Sequence, residues 1–219
     1  MEKPENPNKK LELVIKDSDL PSLSKDFAEV AIDGIMDEGV LQDLPLVGGI
    51  VGAVKFGNSI NKYLSAKKIY KFLFELHTIP QEQRIKKIDE INNSRKYQSS
   101  VGEMIFELLE KIESDGKPEI LGKLFKAVIE EKIDYETYLR LAHIVKRLFY
   151  YDLVWLKNNS EGLRVNGRIN DELYTSGLIT QDLVNIYEKA KEMNKDRKPD
   201  VNDRSLTYLG DMLISIGMK

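Results

Sequence analysis

Residues 134–157, DYETYLRLAHIVKRLFYYDLVWLK, decide the fold class. Asp134 is a strong helix N-cap by residue type, and no glycine or proline interrupts Tyr135 to Lys157. The stretch therefore predicts one long helix, whose 23 residues would span roughly 35 Å. Its second half, LFYYDLVWL, is apolar on nearly every side, which places it at the centre of a core. Tyr150, Tyr151 and Trp155 would then need polar partners.

Working outward, helix signals dominate. Upstream, Pro118 opens PEILGKLFKAVIEE, and SSVGEMIFELLEKIES is closed by Asp115 and Gly116. Thr78-Ile79-Pro80 ends one element and starts PQEQRIKKIDEI. Nearer the N-terminus, SLSKDFAEVAIDGIMDEG carries Phe27, Val30, Ala31 and Ile35 at helical spacing, with Gly39 as its stop. Downstream, KNNSEGLRVNGRIN reads as a loop. DELYTSGLI is a short helix stopped by Gly177, followed by extended Leu178 and Ile179. QDLVNIYEKAKEMN is a helix or holds a strand at Leu183–Tyr187, and SLTYLGDMLISIG is an amphipathic helix or a strand leading into one. The expected architecture is mainly α: a flexible arm over 1–20 with a short strand at Leu11–Ile15, a helical domain over 21–158, and a winged-helix-like module over 165–219.

The bulk composition restricts the chemistry. A chain of 219 residues can bury a real core. Its net charge of −3 gives no overall pull toward nucleic acid. There is no cysteine, which excludes disulfides, thiolate metal sites and cysteine nucleophiles and fits a reducing cytoplasm. The two histidines, His77 and His143, lack a second histidine at helical spacing, so no zinc site is expected. Asp33 and Asp37 are one turn apart with Glu38 adjacent, but nothing completes a site there, and a solvated acidic face is the plainer account. No nucleophile elbow is present, no enzyme class gains support, and no metal or other cofactor is expected. The C-terminal helices lack a basic recognition face, so nucleic acid is disfavoured as a partner and a protein-binding or oligomerising role is favoured.

The most apolar stretch is DLPLVGGIVGAVKFGNSI, residues 43–60. It is no phosphate loop: Gly48 and Gly52 are four apart and Lys55 is followed by Phe56. It can be an ordinary core helix whose glycines admit a neighbouring backbone, each costing about 0.5–1 kcal/mol against alanine. It can also be membrane-active. Gly48/Gly52 and Gly49/Ala53 have the small-residue spacing of close helix pairs in lipid. Yet Leu44 to Ile60 is short for a span and carries Lys55, Asn58 and Ser59. It would enter a bilayer only in company, with polar groups facing a wet lumen. The candidate insertion and oligomerisation residues are Leu44, Leu46, Val47, Gly48, Gly49, Ile50, Val51, Gly52, Ala53, Val54, Phe56 and Gly57, within a membrane-active segment over 44–76.

The flanks carry opposite charge. Lys55 to Glu75 is basic, with Lys55, Lys62, Lys67, Lys68 and Lys71 against Glu75 alone, and it is rich in aromatics. Such a helix suits an anionic membrane surface. Ser22 to Pro45 is acidic, with Asp26, Glu29, Asp33, Asp37, Glu38 and Asp43 against Lys25. The acidic helix is expected to mask the basic one at rest. The plain alternative is two solvated faces of opposite sign.

AIDGIMDEGVLQDLPLVGGIVGAVKFGNSI, KKIYKFLFEL, IPQEQR, LGKLFKAVIEEKIDYETYLRLAHIV and the terminal LYTSGLI and LTYLG together resemble a widespread family of small α-helical bacterial and prophage proteins linked to anti-phage defence. The likeness spans most of residues 22–217 and rests on a diffuse pattern with no catalytic signature. It implies an effector that is cytoplasmic at rest and damages the inner membrane once triggered. The trigger would be a phage-encoded protein, such as a ring-shaped portal or small terminase able to gather many copies. A soluble helical adaptor or regulator binding protein or DNA is the alternative.

Overall fold

The computed structural model describes residues 6–22, 50, 59–97, 99–160, 168–181 and 204–219. It is mainly helical. The elements are α1 (Pro7–Ile15), a 3-10 turn (Leu20–Ser22), α2 (Ser59–Phe74), α3 (Gln81–Asn92), α4 (Val101–Lys111), α5 (Lys117–Ile129), α6 (Tyr135–Arg147), α7 (Tyr150–Asn159), α8 (Arg168–Thr175), β1 (Ile179–Gln181), β2 (Arg204–Leu206), α9 (Tyr208–Met212) and a π-helical turn (Leu213–Gly217). The chain divides into two compact units, Met1–Ala142 and His143–Lys219, with the division inside α6.

In the first unit the helix starts follow local chemistry. Ser100 Oγ accepts from Glu103 N at 3.2 Å, and Asp134 Oδ1 accepts from Thr137 N at 2.7 Å, each satisfying a free N–H of a first turn. Pro80, extended at φ −54° and ψ 139°, turns the chain into α3. α2 packs chiefly on α5 and α1 on α4. The core joins Phe72, Phe125, Tyr138 and Tyr135 through ring contacts at 6.0, 5.3 and 5.7 Å, and Tyr97 meets Tyr135 edge-on at 4.8 Å.

The hydroxyls of Tyr135 and Tyr138 are buried with no hydrogen-bond partner among the described residues. Burial pushes the Tyr138 phenol well above its ordinary value. An unpaired buried hydroxyl costs desolvation energy that phenylalanine avoids. Tyr138→Phe is therefore expected to be neutral or to stabilise by up to about 1 kcal/mol in denaturant unfolding. A clear loss of stability would mean that this hydroxyl has a partner.

Two expectations are corrected. Residues 6–20 are not a flexible arm with a strand: Pro7–Ile15 is a packed helix. Asn6 caps α1 by accepting from Asn8 N at 3.0 Å, with Pro7 in the first turn. Leu11 and Ile15, one turn apart, are fully buried, and each such burial is worth about 2 kcal/mol. Glu12, which interrupts the apolar run, is used: its carboxylate accepts from Asn92 Nδ2 at 2.9 Å and from Gly102 N at 3.4 Å.

The single long helix over 135–157 is also two. Leu148 ends the first, and Phe149, extended at φ −66° and ψ 136°, starts α7. A continuous helix would have to bury Leu148, Phe149, Tyr150 and Tyr151 on nearly every side. The break instead buries Leu148, Leu153 and Leu156 and leaves Phe149 and Tyr151 exposed.

In the second unit α8 ends before Gly177, whose φ of +78° is the left-handed conformation glycine adopts freely. β1 and β2 pair antiparallel, Ile179 opposite Leu206 and Gln181 opposite Arg204. Thr207 ties the strand pair to α9: its hydroxyl donates to Gly177 O at 2.6 Å and accepts from Gly210 N at 3.1 Å. The predicted short helix and glycine stop lie here; of the expected extended pair Leu178–Ile179 only Ile179 is in a strand, and of the two alternatives for the terminal stretch the strand leading into a helix is the one found. The segment 181–194 lies almost wholly outside the described residues.

Candidate functional site

α2 is most of the described part of the proposed membrane-active segment. It crosses α5 closely at Gly122, where a Cβ would meet Phe72 O and Glu75 Cβ at 2.8 Å. That crossing brings one turn of α2 to the α4–α5 connection. Lys67 Nζ pairs with Asp115 Oδ2 at 2.5 Å, Lys68 Nζ donates to Ile112 O at 2.5 Å, and Lys71 Nζ donates to Asp115 O at 2.9 Å. Lys68 thus caps the carbonyl end of α4, where the helix dipole favours positive charge, and Lys67 and Lys71 hold the turn that follows at Asp115.

Lys67 is only 8% exposed. Burial lowers the Lys68 and Lys71 ammonium pKa values against the opposing pull of nearby acids, Asp115 among them. The hydrogen bond from Lys67 holds the Asp115 carboxyl below its ordinary value. The expected open basic face is, at these three positions, an inward clamp. Long lysine stems pack on apolar surface while the ammonium reaches a partner.

The other predicted site residues are placed as follows. Ile50 is fully buried. Leu44, Leu46, Val47, Gly48, Gly49, Val51, Gly52, Ala53, Val54, Lys55, Phe56 and Gly57 lie outside the described residues, as do Asp26, Glu29, Asp33, Asp37 and Glu38. Lys62 falls within the range of α2. The charge count did not point to Asp115, the acid at the centre of the clamp. Its signal was positional: an acid in the Asp115-Gly116 turn that separates two predicted helices.

A second buried charge was missed. Arg84 is fully buried, and its Nη2 donates to Asp17 O at 2.5 Å, just past the C-terminus of α1. Its Nε and Nη1 have no partner among the described residues. Gln81 Nε2 donates to Lys16 O at 2.9 Å, and Lys16 pairs with Asp89 at 2.7 Å. The sequence did carry a signal: Arg84, Ile88 and Ile91 share the spacing of one buried helical stripe.

A cleft of about 300 Å³ lies between Gln83, Lys86 and Lys87 and the end of α5 at Ile129, Glu130 and Glu131. Lys87 there is bonded to Glu131 at 3.0 Å and to Glu90 at 2.8 Å, and Glu130 pairs with Lys132 at 2.6 Å. Among the described residues no group of three acidic or histidine side chains converges to hold a metal ion. In comparisons with protein-family models, curated proteins and solved structures, nothing matches the chain.

Proposed function

We propose that this chain is an anti-phage defence effector: soluble and cytoplasmic at rest, it binds a phage-encoded protein, self-associates and permeabilises the inner membrane. The reading rests on the sequence's charge partition around the glycine-rich segment. The observation that carries it structurally is the clamp of Lys67, Lys68 and Lys71 on the α4–α5 turn. In that packing Lys67 is paired with a carboxylate and Lys68 and Lys71 are held on backbone carbonyls, and releasing them would free three cations toward an anionic surface. Among the described residues no helix is long and apolar enough to cross a membrane. The second unit, with its short helix, antiparallel strand pair and last helix, we read as a winged-helix-like module that binds the trigger or other copies.

Asp115→Asn tests this. It keeps the shape of the turn and removes the clamp's carboxylate. Vesicles of phosphatidylglycerol loaded with a self-quenching dye should leak several-fold faster with the variant than with wild type. If the variant, and wild type with a candidate trigger, both leave vesicles sealed, the reading fails. Because the hydrogen bond from Lys67 holds the folded Asp115 carboxyl below its ordinary value, the clamp's contribution is complete above the ordinary carboxylate range and is lost only as pH falls through the depressed value. Wild-type leakage should therefore not rise between about pH 7 and pH 5. One observation favours an adaptor with no membrane activity: as packed, each of these ammonium groups already has a partner within the fold. That reading predicts sealed vesicles throughout.

A further inference from the structure

The turn between α4 and α5 carries a reactive pair of residues. Among the described residues Asp115–Gly116 is the one Asp–Gly or Asn–Gly bond. Glycine sets no side chain beside its own nitrogen, so that nitrogen can attack the preceding carboxyl and close a five-membered ring. The Gly116 N–Asp115 Cγ bond forms, the Cγ–OH bond of the neutral carboxyl breaks, and the amide proton leaves with the hydroxyl as water. Water then opens the ring at either carbonyl. One opening returns aspartate; the other gives isoaspartate, in which the main chain runs through Cγ. In the folded chain each reacting group is engaged. Lys67 Nζ holds the carboxylate at 2.5 Å, Gly116 N donates to Ser114 Oγ at 3.3 Å, and Lys71 Nζ holds the Asp115 carbonyl at 2.9 Å. An ionised carboxylate has no hydroxyl to lose, and the hydrogen bond from Lys67 favours that ionised form. The Asp115 side chain is nevertheless 55% exposed, so water reaches it.

We propose that Asp115–Gly116 is a backbone isomerisation site, kept unreacted by the lysine clamp while α2 is packed and converted to isoaspartate once the clamp opens. Conversion adds one methylene to the main chain and attaches the carboxylate directly to Cα. The carboxylate then leaves the position that meets Lys67, and the longer main chain shifts the start of α5, which has no side-chain cap at Gly116. Opening followed by conversion therefore works against reclosing. This goes beyond the function proposed above and rests on the geometry of the clamp, whatever surface the released lysines meet. The same chemistry bears on Asp115→Asn: an Asn–Gly bond closes the ring faster, losing ammonia in place of water, so that protein is assayed fresh.

Trypsin releases the pair in the peptide Ile112–Lys123, because Pro118 blocks cleavage after Lys117. Isoaspartate has the mass of aspartate, so the two forms are separated by chromatography and told apart with endoproteinase Asp-N, which cuts only before aspartate. The full-length chain is incubated at neutral pH in native buffer and, separately, in guanidinium chloride. Wild type should convert far more slowly folded than denatured. Lys67→Gln should convert several-fold faster than wild type in native buffer, and Lys67→Arg, which keeps the charge, should match wild type. Adding Gly116→Ala to Lys67→Gln should suppress the product, since a Cβ hinders ring closure. Circular dichroism checks that each variant is folded. Should Lys67→Gln fail that check, Lys71→Gln decides by the same comparison, since it frees the Asp115 carbonyl from a less buried position. Three results overturn the proposal: equal rates folded and denatured, a wild-type rate in the folded clamp variant, or product undiminished by Gly116→Ala. Dye leakage is not read here, so sealed vesicles leave this inference standing, and an unreactive Asp115–Gly116 bond leaves the leakage test standing.

Discussion

Gly102→Ala is expected to destabilise the first unit by about 2–3 kcal/mol and to loosen α1 from it. A Cβ at residue 102 would lie 2.3 Å from Asn8 O and 2.8 Å from Glu12 Cβ. The first of these is backbone, so no rotamer change relieves it, and α1 must move as a body. Moving it withdraws Leu11 and Ile15 from the core and breaks the bond from Gly102 N to Glu12. Thermal unfolding should show the midpoint falling by about 5–10 °C. Hydrogen exchange should show α1 losing protection before α4 and α5 do. Gly177→Ala is the control. Nothing lies within 4 Å of its Cβ, so only the positive φ is strained, at about 1 kcal/mol. Equal losses at the two positions would show that α1 docking is not what Gly102 serves.

Much of the helical frame was legible because it is set by local chemistry. Ser100, Asp134, Pro80 and Gly177 act within three or four residues of themselves, so their effect is readable in the chain. α1 was not, because its polar, proline-containing composition resembles an arm, and its helix is fixed by burial of Leu11 and Ile15 supplied from distant sequence. The break at Phe149 was missed for the same reason. Propensity and capping permit a continuous helix there, and only the limited room for apolar side chains on all sides forbids it.

Legibility of the candidate site differs by residue. Counting charge found α2 basic, which holds, but counting cannot say where an ammonium points. Lys67, Lys68 and Lys71 reach Asp115 and Ile112 across 44 to 48 residues of sequence. Only the α2–α5 crossing at Gly122 creates that meeting. Phe149 and Tyr151 show the converse: their apolar type suggested core, and the helix break put them outside.

Arg84 separates two ways of stabilising the first unit. Arg84→Ala should cost about 3 kcal/mol, since it empties the space of a fully buried side chain and frees Asp17 O from its donor. Arg84→Met should cost far less, or stabilise by about 1 kcal/mol. Methionine fills similar volume without carrying two N–H groups that find no partner among the described residues, and burial already disfavours the charged guanidinium. Denaturant unfolding of both variants, with unchanged m-values as the check on two-state behaviour, gives the comparison. A Met variant as damaged as the Ala variant would show that the charge itself holds the end of α1. The latch would then be electrostatic, and its stability should fall with added salt. A tolerated Met would assign the latch to packing around Leu11, Ile15 and Leu20. Arg84 would then be an energetic liability at the point where the chain leaves α1.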